Sequence, residues 1–357
     1  MHDQGTARER LPFVDIAKAV AMLCIALGHF DCFAIDRVVF TFHVPLFYCI
    51  SGYFISKRLG MADFCARKAR TLLLPYYAIA AVILLATLPR AFASGDPAAF
   101  VLSKLGAIAY AAGDGDVTPA GIEAIGALWF LWACFWGELF VRLALEMRPG
   151  LRAFWIAALF YVAQTTKDVL WLPLSVQAGA MAALYMYVAQ LVRAKQDQLL
   201  GLPRSHKVVA LLFALVVWAQ FIWNFQTFWL VRADIGHGLL DVASSLCACA
   251  VVLAGCHGLQ RTGWRAAELL ARFGRHTLLF FAIHCVEMAA FPWGSLTRLL
   301  QGSPLPPALQ LVALIGVRLV MDCGLLWLLL KSDRVRRFFG YEPACAAQTA
   351  APGAPQG

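Results

Sequence analysis

Long apolar stretches recur along the chain and constrain its fold more than any other feature of the sequence. A helix needs roughly 20 apolar residues to cross the hydrocarbon core of a bilayer. Ten stretches approach this length, at about residues 11–32, 38–56, 70–88, 125–145, 152–169, 171–192, 207–224, 238–259, 270–291 and 308–331. Lipid offers no partners for backbone N–H and C=O groups, so spans of this length favour α-helices. The sequence therefore predicts an all-α, polytopic transmembrane helical bundle with about ten spans.

The low content of charge excludes an ordinary soluble domain. Charged residues make up 14% of the chain and hydrophobic residues 61%, whereas about 25% of the residues of a soluble domain are charged. The net charge is +9, but the basic residues fall in short clusters between the apolar stretches. Such clusters are typical of loops beside anionic lipid headgroups. We therefore expect contact with membrane lipid and no binding of nucleic acid.

The positions of the Lys and Arg residues predict the orientation. If the N-terminus lies inside, most of the 30 Lys and Arg residues fall in inner segments. The outer segments hold Arg37, Arg90, Lys104, Lys167, Arg232 and Arg298. Because basic loops stay on the cytoplasmic side, both termini are predicted to be cytoplasmic in a multi-pass protein of the cell (inner) membrane. The predicted segments are a cytoplasmic N-terminal segment at 1–10, a transmembrane domain at 11–340 and a disordered cytoplasmic tail at 341–357.

Three shorter features bear on the architecture. The longest predicted outer loop, about residues 89–124, is long enough to form a lid or a partly re-entrant segment. Ser51-Gly52 in the second stretch is expected to permit close helix packing. Most of the 11 Cys residues lie within apolar stretches and none forms a CxxC pair, so no metal site is predicted.

Ionisable residues inside the predicted spans are the first candidates for function. At a helix centre each costs about 2.5–3.5 kcal/mol on insertion scales, and such residues usually mark a functional site. The candidates are Asp15, Lys18, His29, His43, Glu138, Asp241, His284, Glu287, Arg318 and Asp322.

Two histidines are candidate general bases. A neutral imidazole can accept the proton of a hydroxyl group near neutral pH. His29 is predicted in the outer half of the first span, and His43 opens the second, so the short loop between them allows both to face one site. The alternatives are a His29 that only bonds a neighbouring helix and a His43 that only marks a helix start at the interface.

Arg67 and Arg70 form an RxxR at the inner end of the third span, beside Lys68. At a spacing of three residues they share one helix face, and paired guanidinium groups suit an anion with several phosphates. The alternative is an ordinary basic anchor at the cytoplasmic surface.

Two pairs in the last spans have helical spacing. Arg318 and Asp322 are four residues apart and predict a structural ion pair within the last helix. His284 and Glu287 are three residues apart and could share a proton, with Glu287 orienting the imidazole.

Several segments together resemble a known family. They are RLPFVDIAKAVAMLCIALGHF, FHVPLFYCISGYF, ARKARTLLLPYY, ALWFLWACF and FGRHTLLFFAIH, within about residues 10–340. These segments are similar to the membrane-bound acyltransferase family 3, especially its carbohydrate O-acetyltransferase branch, and look fucose 4-O-acetylase-like. The resemblance implies ten helices around a central cavity and transfer of an acyl group, usually acetyl from acetyl-CoA, to a sugar hydroxyl.

The resemblance also implies roles for individual residues. The family's first-span histidine matches His29, its earlier basic residue matches Lys18, and its RxxR matches Arg67 and Arg70. Lys18 stands where the family commonly has Arg, and a lysine does not make the same bidentate phosphate contact. Apart from the resemblance, Asp15, Glu138, His284, Glu287 and Arg318 are predicted supporting residues, because they are ionisable groups inside the predicted spans.

These predictions combine into one mechanism. Acyl-CoA enters from the cytoplasm, and its phosphates meet Lys18, Arg67 and Arg70. His29, with His43 as the second candidate, then deprotonates a hydroxyl of a carbohydrate or lipid-linked glycan, either directly or after an acyl-enzyme step. The main alternative is a transporter or flippase of a lipid-linked glycan. A third is a structural or sensory membrane protein without activity. The oligomeric state is left open.

Overall fold

The structure is a computed structural model that describes residues 11–119 and 121–341. The predicted N-terminal segment at 1–10 and the predicted tail from residue 342 onward lie outside the described residues. Within them the chain forms helices with one short β-hairpin, which agrees with the predicted all-α class.

The described residues form seventeen α-helices, which are α1 Pro12–Leu27, α2 Phe33–Val39, α3 His43–Phe54, α4 Met61–Lys68, α5 Leu74–Ala93, α6 Pro97–Tyr110, α7 Trp129–Ala144, α8 Pro149–Thr166, α9 Val176–Ala194, α10 Gln196–Gly201, α11 Arg204–Trp223, α12 Leu239–Arg261, α13 Arg265–Gly274, α14 Thr277–Ala290, α15 Trp293–Gln301, α16 Pro307–Leu329 and α17 Asp333–Phe338. A π-helical turn, Ala69–Leu73, joins α4 to α5. Strands β1 Phe228–Trp229 and β2 Asp234–Ile235 pair antiparallel, with Phe228 opposite Ile235.

Each of the ten predicted apolar stretches coincides with a helix. Among the described residues, seven helical segments are long and apolar enough to cross a membrane. They are Phe33–Phe54, Met61–Ala93, Gly126–Ala144, Pro173–Ala194, Arg204–Trp223, Leu239–Arg261 and Pro307–Leu329. An eighth is reached if α13 and α14, which meet at an angle of 70°, count as one broken span. The count of ten and the cytoplasmic termini stay predictions.

The predicted outer loop at 89–124 contains α6, a 14-residue apolar helix. The side chain of Asp96 accepts a hydrogen bond from the backbone N–H of Ala99 at 3.0 Å, and Pro97 occupies the first turn. A carboxylate cap and a proline in the first turn both favour helix initiation. A helix rather than an irregular loop therefore follows from this local sequence.

The chain divides into two compact units, each described separately. Among the described residues, the first comprises 11–55, 182–230 and 234–277, and the second comprises 56–181, 231–233 and 278–341. In the first unit α1 packs against α3, α12 and α13. Small residues such as Ala17, Ala21 and Ala248 belong to its buried core and let helices approach closely.

The predicted close packing at Ser51-Gly52 is confirmed within the first unit. A Cβ added at Gly52 would lie 2.3 Å from the Cα of Met186 on α9. No side chain fits in that space, so the glycine is required by the helix contact.

A second close approach joins α13 to α1. A Cβ added at Gly274 would lie 1.8 Å from the backbone oxygen of Asp15. We expect Gly274→Ala to destabilise the protein by about 1–3 kcal/mol, because the two backbones must move apart to admit the methyl group. Thermal unfolding in detergent measures this loss. Gly255→Ala on α12 is the matched control, since a Cβ there meets no atom within 4 Å, and equal melting temperatures for both variants would contradict the prediction.

Candidate functional site

The first unit holds a charged group at the start of α1. The Nζ of Lys18 lies 3.2 Å from Oδ1 of Asp15, and the Nε of Arg275 lies 3.9 Å from Oδ2 of the same carboxylate. The Lys18 side chain is about one-third exposed. Asp15 thus orients Lys18, whose side chain stays partly accessible.

Arg275 is a candidate site residue that the sequence analysis did not single out. The available signal was its place after Gly274 in the FGRH segment. Gly274 allows the close approach to Asp15, so the Gly-Arg pair both packs against α1 and places a guanidinium group near its carboxylate.

His29 lies beyond the end of α1, which differs from its predicted place inside the first span. The helix ends at Leu27, and His29 is exposed in the following turn. Gly28 is a poor helix former, and Asp31 has a positive φ of 50°, which a continuing helix does not allow. The imidazole is therefore accessible to a substrate.

His43, the first residue of α3, is buried, and its hydrogen-bond partner indicates its tautomer. Its Nδ1 lies 2.5 Å from the backbone oxygen of Val39. A carbonyl oxygen only accepts hydrogen bonds, so Nδ1 carries the hydrogen and Nε2 of the neutral ring keeps its lone pair. That lone pair is the one that a general base uses.

In the second unit, the three basic residues of the RxxR segment differ in environment. The Nζ of Lys68 lies 2.6 Å from Oε2 of Glu138, a buried residue of α7. Arg67 and Arg70 are exposed. Lys68 thus compensates a buried carboxylate, and the two guanidinium groups remain accessible.

Arg67 and Arg70 do not lie on a uniform α-helix. Arg67 belongs to α4, whereas Arg70 lies in the π-helical turn that precedes α5. A π turn widens the helix by one residue and often occurs at functional sites. The predicted spacing of three residues holds in sequence, but the π turn changes the relative direction of the two side chains.

The segment before α4 is tied to the end of α7. The Nη2 of Arg142 donates to the backbone oxygen of Leu59 at 3.0 Å, and the Nζ of Lys57 lies 2.9 Å from Oε2 of Glu146. Hydrogen bonds from Lys57 and then Arg142 lower the pKa of the Glu146 carboxyl. These contacts anchor the chain that leads into the RxxR segment.

A buried ion cluster lies between α14 and α16. The Nε of Arg318 donates to Oε1 of Glu287 at 2.6 Å, and the Nδ1 of His284 lies 3.0 Å from the same oxygen. His284 also lies 3.5 Å from Oδ2 of Asp322. Trp293 Nε1 donates to Oε2 of Glu287. The predicted contact of His284 with Glu287 is confirmed, and Arg318 has a partner on another helix that its spacing to Asp322 did not reveal.

The same cluster bears on the predicted absence of a metal. Ligand atoms of His284, Glu287 and Asp322 all lie within 4.8 Å of one another. Both oxygens of Glu287 already accept hydrogen bonds, from Arg318 and Trp293, and a guanidinium group beside them repels a cation. We interpret the group as an ion cluster, and the absence of a metal stays a prediction.

The remaining intramembrane candidate, Asp241, lies in the first turn of α12. Its Oδ2 accepts a hydrogen bond from the backbone N–H of His237 at 2.7 Å. This contact satisfies a backbone donor beside the helix start, so we assign Asp241 a structural role.

The structure therefore divides the candidate residues between the two units, and some of them form three contact groups. Asp15, Lys18, His29, His43 and Asp241 belong to the first unit, and the second unit contains Arg67, Arg70, Glu138, His284, Glu287, Arg318 and Asp322. Asp15 contacts Lys18, Glu138 contacts Lys68, and Glu287 contacts His284 and Arg318.

Comparison with known proteins identifies the family. No curated protein and no solved structure shows significant similarity to the chain. A family model described as an acyltransferase domain matches residues 11–321, which is nearly the whole chain. The chain thus belongs to membrane acyltransferase family 3.

Proposed function

We propose that this membrane acyltransferase moves an acyl group from acyl-CoA to a hydroxyl of a cell-envelope or exported carbohydrate, and that the acyl group is acetyl. The observation that carries the proposal is the difference among three neighbouring cations. Lys68 pairs with Glu138, whereas Arg67 and Arg70 are exposed. Two accessible guanidinium groups on adjacent turns suit the phosphates of CoA.

Lys18 is proposed as a further phosphate ligand. It supplies a point charge rather than a planar fork, and its contact with Asp15 limits the directions in which the ammonium group can point. We also propose that the basic segments lie on the cytoplasmic side of the inner membrane, where they can meet acyl-CoA. This orientation is supported by the excess of Lys and Arg in alternate segments.

The proposed chemistry needs a base more than an acid. The hydroxyl oxygen attacks the acyl carbonyl carbon while His29 takes the hydroxyl proton. The tetrahedral intermediate then breaks its C–S bond, and CoA leaves as a thiolate. His43 is the second candidate for the base, because its Nδ1 bond to Val39 leaves Nε2 able to accept a proton.

Binding of acetyl-CoA to single variants tests the donor site. A charge-assisted hydrogen bond contributes about 1.5–3 kcal/mol, so Arg67→Ala and Arg70→Ala should each raise Kd roughly ten- to hundredfold. Arg58→Ala is the matched control, since Arg58 is also basic, exposed and close in sequence. Isothermal titration of the purified protein in detergent measures Kd, and an equal loss in Arg58→Ala would assign the effect to general positive charge.

A transfer assay separates this proposal from a transporter or flippase of a lipid-linked glycan. Purified protein is incubated with acyl-labelled acetyl-CoA and a mixture of envelope glycans. Covalent label on the glycan supports the proposal. Glycan translocation in vesicles without label transfer would overturn it. Family membership supports the enzyme, since the matched domain is an acyltransferase.

A further inference from the structure

The second unit contains an apolar cavity of about 650 Å³ that the proposed reaction does not use. Helices α5, α14, α16 and α17 line it. One face of α14 lines the cavity, with residues spaced by one, three or four positions, namely Leu279, Ala282, Ile283, Val286, Glu287 and Ala290. Met321, Leu325 and Leu329 form the matching face of α16. The cavity is partly open and follows the helices, and we call it the channel.

The length of the channel matches one leaflet of a bilayer. Eleven residues separate Leu279 from Ala290 along α14, which corresponds to about 16 Å at 1.5 Å per residue. The hydrocarbon core of a bilayer is about 30 Å thick, so one leaflet accounts for about 15 Å. A single acyl chain of a phospholipid in that leaflet has the required extent.

The walls accept hydrocarbon and reach the membrane. Val82, Leu325 and Phe338 line the cavity and are also exposed, so the channel opens laterally toward lipid. Glu287 is the ionisable residue among the described lining residues. Its two carboxylate oxygens accept hydrogen bonds from Arg318 and Trp293. The charge of Glu287 is therefore compensated by protein groups and does not require a polar ligand in the channel.

One end of the channel lies beside a basic helix, α17. Val335, Phe338 and Phe339, on or beside α17, line that end. Tyr341 links α17 to α14 at this end. Its hydroxyl oxygen accepts a hydrogen bond from the backbone N–H of Leu279 at 3.3 Å, and its own backbone N–H donates to the backbone oxygen of Arg336 at 2.7 Å. The same short helix carries Arg334, Arg336 and Arg337. A bound chain would therefore meet positive charge where its headgroup emerges.

We propose that this channel binds one acyl chain of an anionic membrane phospholipid, with the phosphate against Arg334, Arg336 and Arg337. Charge complementarity at the α17 end, the one-leaflet length and the lateral opening together favour this occupant. The acyl chain of the donor is the alternative source, and it does not account for the lateral opening to lipid. The inference does not depend on which carbohydrate the enzyme modifies.

A variant that fills the channel tests the binding of the chain. Ala78 lines the cavity on α5, whereas Ala81 is exposed on the same helix and does not line it. Each methylene group that the channel buries strengthens binding several-fold in Kd. Because the Phe ring of Ala78→Phe would displace several methylene groups of the lipid chain, this variant should lower retention of phospholipid by about tenfold or more. Ala81→Phe should retain as much as the unchanged protein. Native mass spectrometry of the full chain with added dioleoylphosphatidylglycerol measures retention.

The headgroup contact has its own test. The unchanged protein should retain dioleoylphosphatidylglycerol in preference to dioleoylphosphatidylcholine, and Arg334→Gln with Arg337→Gln should remove the preference. Ala282→Leu, a smaller change in the same wall, replaces Ala78→Phe if the latter does not fold. Retention unaffected by either filling variant, no phospholipid retained, or acyl-CoA found in its place would each overturn the proposal.

Discussion

His29→Ala is expected to lower the rate of acyl transfer by about 10²–10⁴-fold, the usual contribution of general base catalysis. The Kd of acetyl-CoA should stay nearly unchanged, because the proposed phosphate ligands are other residues. The exposed turn that carries His29 makes the imidazole accessible to the acceptor hydroxyl. Single-turnover transfer from labelled acetyl-CoA, with binding measured separately, distinguishes the chemical step from donor binding.

The control for this variant is His206→Ala. His206 is an exposed histidine near the start of α11 and has no proposed role, so its loss should leave transfer unchanged. Full activity in His29→Ala would exclude His29 as the base. His43→Asn then tests the second candidate, since the Asn amide can still donate to the oxygen of Val39 but offers no ring nitrogen to accept a proton.

Arg318→Ala is expected to destabilise the protein by about 3–5 kcal/mol, because breaking a buried ion pair leaves its partner charge uncompensated. Glu287 would lose the guanidinium group at 2.6 Å, in a cluster that also contains the Asp322 carboxylate. Arg298→Ala is the matched control, since Arg298 is an exposed arginine of α15. Thermal unfolding in detergent should show a large fall in Tm for Arg318→Ala and a small one for Arg298→Ala.

Replacing both partners tests the reason for that loss. Arg318→Leu with Glu287→Leu removes a positive and a negative charge together, and apolar replacement of a buried pair is often neutral. We therefore expect the double variant to melt above the single variant Arg318→Leu. A double variant that melts at or below the single one would show that the loss comes from packing and not from the unpaired charge.

The features that depend on local spacing could be predicted from the sequence. Apolar length placed a helix at each of the ten stretches, and the spacing of three residues between Asp15 and Lys18, or between His284 and Glu287, brings side chains together on one turn. Composition alone indicated lipid as the solvent. These properties are determined within a few residues of chain, and no knowledge of the packing is needed.

The partners that charged side chains find on other helices could not be predicted. The same basic segment contains Lys68, which pairs with Glu138 seventy residues later, and Arg67, which stays exposed. Arg318 bonds Glu287 on another helix. The hydropathy pattern does not identify such partners, because the sequence around a charged residue is the same whichever residue of another helix it contacts. Only the tertiary structure decides which partner it finds.

The apolar stretches and the charged residues within and between them thus carry different kinds of information. The sequence by itself determined a membrane protein of helices with basic segments and intramembrane charges, since transfer into lipid depends on composition and length. The tertiary structure decided the backbone contact of Gly274 with Asp15, the pairing of Lys68 with Glu138 and the hydrogen bond from Arg318 to Glu287. Each of these depends on an atom brought near by packing.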